Sequence, residues 1–385
     1  MTKLVLFCHS LRSDWNHGNA HFLRGILSEC QRRGIDVMGF EPSNSWSARN
    51  LAAEQGEAAL DAWREAYPDL PVTIYDPARF DIDHALDGAD VVLVHEWNEP
   101  ALVARIAAHR RGGGRYLLLF HDTHHRVVTD PEAIAALDLD GFDGVLAFGD
   151  VLRDAYRRHG WGREVFTWHE AADLNVFRPY PEIARQRDLV WVGNWGDEER
   201  TAELGEFLIE PVKAMALAAR VYGVRYPAEG RAALADAGID FAGYLPNFRV
   251  PKAFAAAHMT VHIPRRPYAE TLPGIPTIRM FEALACGIPL VSAPWQDRDG
   301  LFAPGEDYLV ARDGEAMRRH LAALRADPDF AAAIAEQGRA TVMARHSCAH
   351  RVDELLSFCL RLGRPLVNPP ALAGEDRVGA MAAAQ

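Results

Sequence analysis

Short, uninterrupted apolar runs punctuate the first half of the chain at residues 4–7, 91–94, 116–120 and 145–148, each followed by a stretch with helical spacing. Apolar runs of this length, bounded by polar turns, predict strands buried on both faces and hence a parallel sheet covered by helices. The second half repeats the pattern at 189–192 and 289–291. Two further runs, 218–221 and 259–263, are interrupted by Arg220, Thr260 and His262. Between strands, Phe22, Leu23, Ile26, Leu27 and Cys30 fall on one helical stripe that ends before Gly34. This alternation predicts an α/β protein built from two Rossmann-like, doubly wound domains facing a cleft. Pro179, Pro181 and the polar residues 182–188 interrupt it, so the expected units are 1–178 and 179–345. Residues 331–360 read as two helices broken near His346 and Ser347, with a last helix over 346–362. The remainder, 363–385, is rich in Pro, Gly and Ala and is expected to be unstructured.

Composition narrows the chemistry. A chain of 385 residues with 49% hydrophobic and 24% charged positions suits two ordinary cores. The net charge of −12, without a Lys/Arg block, argues against a nucleic-acid track or an anionic membrane surface as partner. A small phosphate-bearing ligand met by local arginines is compatible with it. Cys8, Cys30, Cys286, Cys348 and Cys359 are widely spaced and form no C-x-x-C pair, which fits reduced thiols. The first apolar run is too short for a secretory leader, and none reaches membrane-spanning length. A cytoplasmic protein without a transmembrane segment is expected.

The most informative segment is 277–291. Ile278, Phe281, Leu284 and Ala285 lie on one side of a helix closed by Gly287 and followed by a strand. The preceding loop places backbone N–H groups around Gly274 and Ile275 beside a helix amino terminus, a ready site for a pyrophosphate. Glu282 sits just past the first turn, where a carboxylate can accept two hydrogen bonds from a ribose diol. A solvated helix glutamate beside a packing glycine gives the same pattern.

The stretch Arg279-Met280-Phe281-Glu282-Ala283-Leu284-Ala285-Cys286-Gly287-Ile288-Pro289 resembles the GT-B glycosyltransferases, specifically the group related to the spore-maturation protein CgeB. Other segments are similar to that family in register. They are 168–179, with Asp173 followed by Phe177-Arg178-Pro179; 241–246; 301–308; and the span from His346 to Leu356. The resemblance implies a two-domain GT-B enzyme that moves a sugar from a UDP-, GDP- or dTDP-linked donor to a hydroxyl-bearing acceptor, with no obligatory cofactor or metal. It implies Glu282 at the donor ribose and Tyr244 and Leu245 at the base. It also implies Gly18 approaching the phosphates from the first domain. Basic groups must meet the phosphate charge, and Arg279, Arg200, Arg265 or Arg266 are candidates. Asn194, directly after the 189–192 strand, sits at the sheet edge where ligands bind. Many retaining members carry an acid eight residues before the ribose glutamate, but here that position is Gly274, so the stereochemical outcome stays open. Glu270 is the nearest acid upstream.

In the first half, His121-Asp122-Thr123-His124-His125 follows one strand run and His95-Glu96-Trp97-Asn98 another. Asp122, His121 and His124 are therefore candidates for a general base on an acceptor hydroxyl. Zinc or iron ligation and plain hydrogen bonding to loop backbone are the other readings. Gly112-Gly113-Gly114 precedes a strand and lies at the wrong edge for a phosphate loop. The competing functions are a nucleotide-sugar epimerase or hydrolase of the same fold and a non-catalytic nucleotide-sugar or glycan-binding protein. The acceptor, whether small molecule, glycan or protein, is left open.

Overall fold

The computed structural model describes residues 2–366 and resolves the alternation into two parallel sheets. In the first, β1 (Lys3–Phe7), β2 (Asp36–Pro42), β3 (Val72–Tyr75), β4 (Val91–His95), β5 (Leu117–Asp122), β6 (Gly144–Ala147) and β7 (Val165–Thr167) take the order β3-β2-β1-β4-β5-β6-β7. In the second, β8 (Arg187–Val192), β9 (Ala219–Tyr222), β10 (Asp240–Phe241), β11 (Ala257–His262), β12 (Leu290–Ser292) and β13 (Leu309–Val310) take the order β10-β9-β8-β11-β12-β13. Leu4 faces both Val37 and Val91, and Met259 faces Leu189, all in parallel register. In each sheet the strand order reverses beside the first strand, at β1/β4 and at β8/β11. A ligand crevice forms at such reversals, outside the carboxyl ends of the strands.

The interrupted runs become strands because their polar side chains find partners. Thr260 Oγ1 donates to the Val190 carbonyl at 2.7 Å, His262 Nδ1 lies 2.9 Å from Ser292 Oγ, and Arg220 pairs with Asp240 at the sheet edge. Strands β2, β3 and β7 have no clean apolar run. β2 includes Gly39, Glu41 and Pro42, and β7 has only three residues. One boundary matters for function. β5 extends two residues beyond the apolar run, so His121 pairs across the sheet with His95, and Asp122 with Ala147.

Residues 168–186 connect the sheets without helix or named strand, touching the carboxyl-terminal part through a bridge between Ala172 and Ser347. The last helix, Cys348–Arg361, is capped by Ser347 and returns to the first sheet's side. A Cβ at Gly25 would lie 2.6 Å from Cys348 Sγ and 2.9 Å from Asp173 Cβ, so a glycine there permits the close packing. The expected unstructured tail requires correction over 363–366: Arg364 pairs with Asp90 at 2.7 Å, Thr2 hydrogen-bonds the Leu366 carbonyl, and Leu366 is buried. The rest of that expectation, 367–385, lies outside the described residues.

Candidate active site

A cleft of about 700 Å³ opens between the carboxyl edges of the two sheets. From the first sheet it receives the loop after β1 (His9, Asp14 and residues 16–19), Trp97 after β4, Thr123, His124 and His125 after β5, and Phe148 after β6. From the second it receives Gly193, Asn194 and Arg200 after β8, Gly223 to Arg225 after β9, Arg265 and Tyr268 after β11, and Thr277 to Arg279 at the start of the Ile278–Ala285 helix.

Positive charge collects at one place. Arg200 is buried, donating to the Ile263 carbonyl at 3.0 Å and to Asn194 Oδ1 at 2.7 Å, while its Nε has no partner. Burial first, then the neighbouring Arg265 and Arg279 charges, pull its pKa down to about 9. Arg265 reaches Glu199 at 2.8 Å and Asn194 Oδ1 at 3.3 Å. Three guanidinium groups against two carboxylates, Glu199 on Arg265 and Glu282 on Arg279, together with the unsatisfied Arg200 N–H, leave a net positive charge suited to an anionic group. The helix amino terminus faces the same space. Its N-cap, Thr277, lies 3.1 Å from Nε2 of buried His262, and burial lowers His262 to about 3, keeping the ring neutral beside the ligand-facing end. Gly18 opposes this end across the cleft, where a Cβ would approach Ile278 Cγ2 to 3.3 Å.

The structure places the other donor-side candidates unevenly. Asn194, Arg200, Arg279, Tyr244, Leu245 and Gly18 line the cleft. Gly274 and Ile275 do not; both are buried behind it, with Gly274 at φ +108° beside Asp299. Glu282 is also behind the wall. It is fully buried, its Oε1 lies 2.7 Å from His21 Nδ1, and its other oxygen is engaged by Arg279 one helical turn earlier. An i,i+3 pair aims the arginine's head, so the glutamate orients Arg279 instead of facing the cleft. Glu270 is exposed and does not line the cleft.

The histidine cluster divides the same way. His121 and Asp122 belong to β5 and point into the protein, so neither faces the cleft as expected. His121 packs between Phe22, His95 and Trp168, with its centroid 4.8 Å from that of the Trp168 ring. Asp122 accepts from Tyr156 Oη at 2.7 Å and from the His124 backbone N–H at 2.9 Å. Beside it, burial and the Asp122 charge hold the Glu96 carboxyl well above the usual range. Glu96 accepts from the Thr123 N–H at 3.0 Å and pairs with Arg126 at 3.0 Å. This network fixes the turn from which His124 and His125 emerge. Of the three general-base candidates, His124 alone reaches the cleft, set edge-on to Trp97 with the ring centroids 4.9 Å apart. Burial, then its cationic neighbours, lower it to about 2, so it serves as a neutral hydrogen-bonding group. Among the described residues, no group of three or more His, Cys, Asp or Glu side chains is disposed to hold a metal ion.

At the far end, Gly223, Val224, Tyr244 and Leu245 face Trp46, which is 40% exposed and covered by Arg225 at 5.8 Å. The two sheets are latched here by Asp14. It accepts from Arg24 at 2.9 Å, from the Asn247 N–H at 3.0 Å and from the Tyr244 hydroxyl. Across the cleft, Asn16 bonds Asn194, and His125 Nε2 lies 3.6 Å from Glu199. Burial alone would raise Glu199, but His125 and Arg265 outweigh it and lower it to about 2. The roles of Asp14, Glu199 and His125 were not legible in the sequence because they depend on contacts with residues more than 60 positions away: Asp14 with Tyr244 and Asn247, and Glu199 with His125 and Arg265. The clustering of acids with arginines in the segment from Asn194 to Arg200 was the available signal.

Residues 200–357 match the family model described as glycosyl transferase-like. No curated protein matches the chain. Among solved structures, the chain is similar to HepE of Anabaena in complex with UDP and glucose (15% identity, 94% of this chain and 100% of that one, TM-score 0.66). It is similar to a mutant of TarM of S. aureus in complex with fondaparinux, alpha-GlcNAc-glycerol and UDP (10% identity, 94% and 99%, TM-score 0.66). It is also similar to the sucrose-phosphate synthase of Thermosynechococcus elongatus (15% identity, 94% and 99%, TM-score 0.64). The chain therefore has the GT-B fold of these glycosyltransferases, with a glycosyl transferase-like domain over residues 200–357.

Proposed function

We propose that the protein transfers a sugar from a nucleotide-sugar donor to a hydroxyl-bearing acceptor, without an obligatory metal. The observation that carries this reading is the convergence of Arg200, Arg265, Arg279 and the Thr277 helix end on one face of the cleft. Departure of a nucleoside diphosphate leaves negative charge on the pyrophosphate, and preorganised cations and N–H groups at that point stabilise it without a metal ion. Glu282 and His21 hold Arg279 in place from behind, and His262 holds Thr277. The base end is Gly223, Val224, Tyr244 and Leu245. UDP in the HepE and TarM structures supports a nucleoside-diphosphate-linked donor here.

The acceptor enters from the first-domain side, past Trp97. A neutral His124 orients its hydroxyl; a ring that protonates only near pH 2 is a poor store for the hydroxyl's proton at neutral pH. The motif likeness to the CgeB-related group fits this assignment, as does a cytoplasmic setting. No helix among the described residues is long and apolar enough to cross a membrane. The test is release of nucleoside diphosphate from UDP-, GDP- and dTDP-linked sugars in the presence and absence of glycan and small-molecule acceptors. Acceptor-dependent release supports transfer. Release at an equal rate without acceptor would instead indicate a hydrolase, and no release from any donor would contradict the reading.

A further inference from the structure

Three carboxyl groups lie beside the Ile278–Ala285 helix, the donor helix of the reading above, or the loop that leads into it, and two of them have partners. Glu282 accepts from Arg279 through one oxygen, and its other oxygen lies within ion-pair distance of His21 Nδ1, 2.7 Å away, without the alignment of a hydrogen bond. Asp299 lies against Gly274, pairs with His169 Nε2 at 2.8 Å and accepts from the Asp150 N–H at 2.9 Å. The third is Glu170, in the connecting segment between the sheets. It is 3% exposed and lines the cleft, and its Oε1 is buried with no hydrogen-bond partner.

The segment that carries Glu170 is rigid on both sides. His169 is fixed by Asp299, the Glu170 carbonyl accepts from Arg351 Nε at 3.3 Å, and Ala172 is bridged to Ser347. The side chain is therefore presented from a fixed backbone toward the Arg279 end of the cleft. A buried, unsatisfied carboxyl is costly to keep and stabilises nothing by itself. Burial, followed by the nearby Glu282 charge, pushes its pKa well above the usual carboxyl range, against the pull of Arg279. A carboxyl oxygen left without a partner here accepts from a hydroxyl, and the raised pKa favours the protonated form that also donates to one, the pattern that a sugar hydroxyl complements.

We propose that Glu170 is a donor-sugar-binding residue, hydrogen-bonding a hydroxyl of the transferred sugar next to the pyrophosphate site. This rests on the nucleotide-sugar reading above. A pyrophosphate placed between Arg279 and the Thr277 helix end leaves the sugar it carries as the neutral, hydroxyl-bearing group nearest Glu170. The free nucleoside diphosphate lacks that group, so the residue should separate the two ligands.

The experiment measures binding by calorimetry of UDP and UDP-glucose, GDP and GDP-mannose, and dTDP and dTDP-glucose to the full chain and to Glu170→Leu. For the pair that binds, the variant is expected to lose about tenfold or more in affinity for the nucleotide-sugar and about threefold or less for the nucleoside diphosphate. Glu170→Gln, which keeps a donor and an acceptor, is expected to restore most of the loss. Without ligand, the leucine variant should melt at or above the wild-type temperature, because a buried orphan group has been removed. Should Glu170→Leu fail to fold, Glu170→Ala carries the same comparison. Equal losses for both ligands, or none for either, overturn the assignment of Glu170 while leaving the donor site in place. Failure of the unmodified chain to bind any of the six ligands overturns the nucleotide-sugar reading itself, and this proposal with it.

Discussion

Replacing Asp14 with alanine should loosen the two sheets from each other at the base end of the cleft. Asp14 is the counter-charge of Arg24, a fully buried guanidinium whose other bonds are a 3.1 Å contact to the Ala20 carbonyl and an Nη1 without partner. Removing one member of such a pair leaves an uncompensated buried charge, a loss of about 3–5 kcal/mol. The Tyr244 hydroxyl and Asn247 N–H also lose their acceptor, but the three effects share one site and do not add. The double variant Asp14→Ala with Arg24→Leu removes both charges, so it should recover all but about 1–2 kcal/mol, the remainder being the two orphaned neutral donors. Equilibrium urea unfolding followed by tryptophan fluorescence gives the three free energies. A single-variant loss under about 1 kcal/mol, or a double variant no better than the single, would refute the latch, because solvent or other groups would then be satisfying Arg24.

Acid sensitivity should come from buried histidines. His121 titrates at about 3 in the fold against 6.5 unfolded, so its stabilising preference for the neutral ring is complete above pH 6.5 and is lost as pH falls toward 3. By pH 5 the loss from this residue is about 2 kcal/mol, and His121→Leu should flatten the stability-against-pH curve by that amount; an unchanged slope between pH 6.5 and 5 would count against the assignment. At the cleft, a Cβ on Gly223 would lie 2.0 Å from the Gly193 carbonyl oxygen. Gly223→Ala should therefore displace the Gly193-Asn194 turn, lower stability by about 1–3 kcal/mol and weaken nucleotide binding, both read from melting curves with and without ligand. Normal stability and binding would show that the turn is free to move.

The sequence made the sheet centres legible because strands buried on both faces have nowhere to put polar side chains, as in β1, β4, β5 and β8. It hid β2 and β7, where Glu41 finds Leu11 and Arg12 N–H donors and three residues suffice for a strand. The donor helix was legible through its apolar stripe and Gly287. The direction of Glu282 was not, because the decisive partner, His21, comes from the other sheet's first helix. For His121 and Asp122 the error was one of boundary: two more residues of strand turned both side chains from the cleft into the interior. Glu170 carried no sequence signal, since an unsatisfied oxygen is visible only when every neighbour is in place.

The central claim is that the three arginines and the helix end hold a pyrophosphate. Calorimetric titration of UDP, GDP and dTDP into the wild-type chain and into Arg265→Ala tests it most directly. At least one nucleotide should bind the wild-type protein, and the variant should bind it about 10–100-fold more weakly, the worth of a charge-assisted contact of about 1.5–3 kcal/mol. Binding unchanged by the substitution, or no binding of any of the three to the wild-type chain at millimolar concentration, would contradict the account.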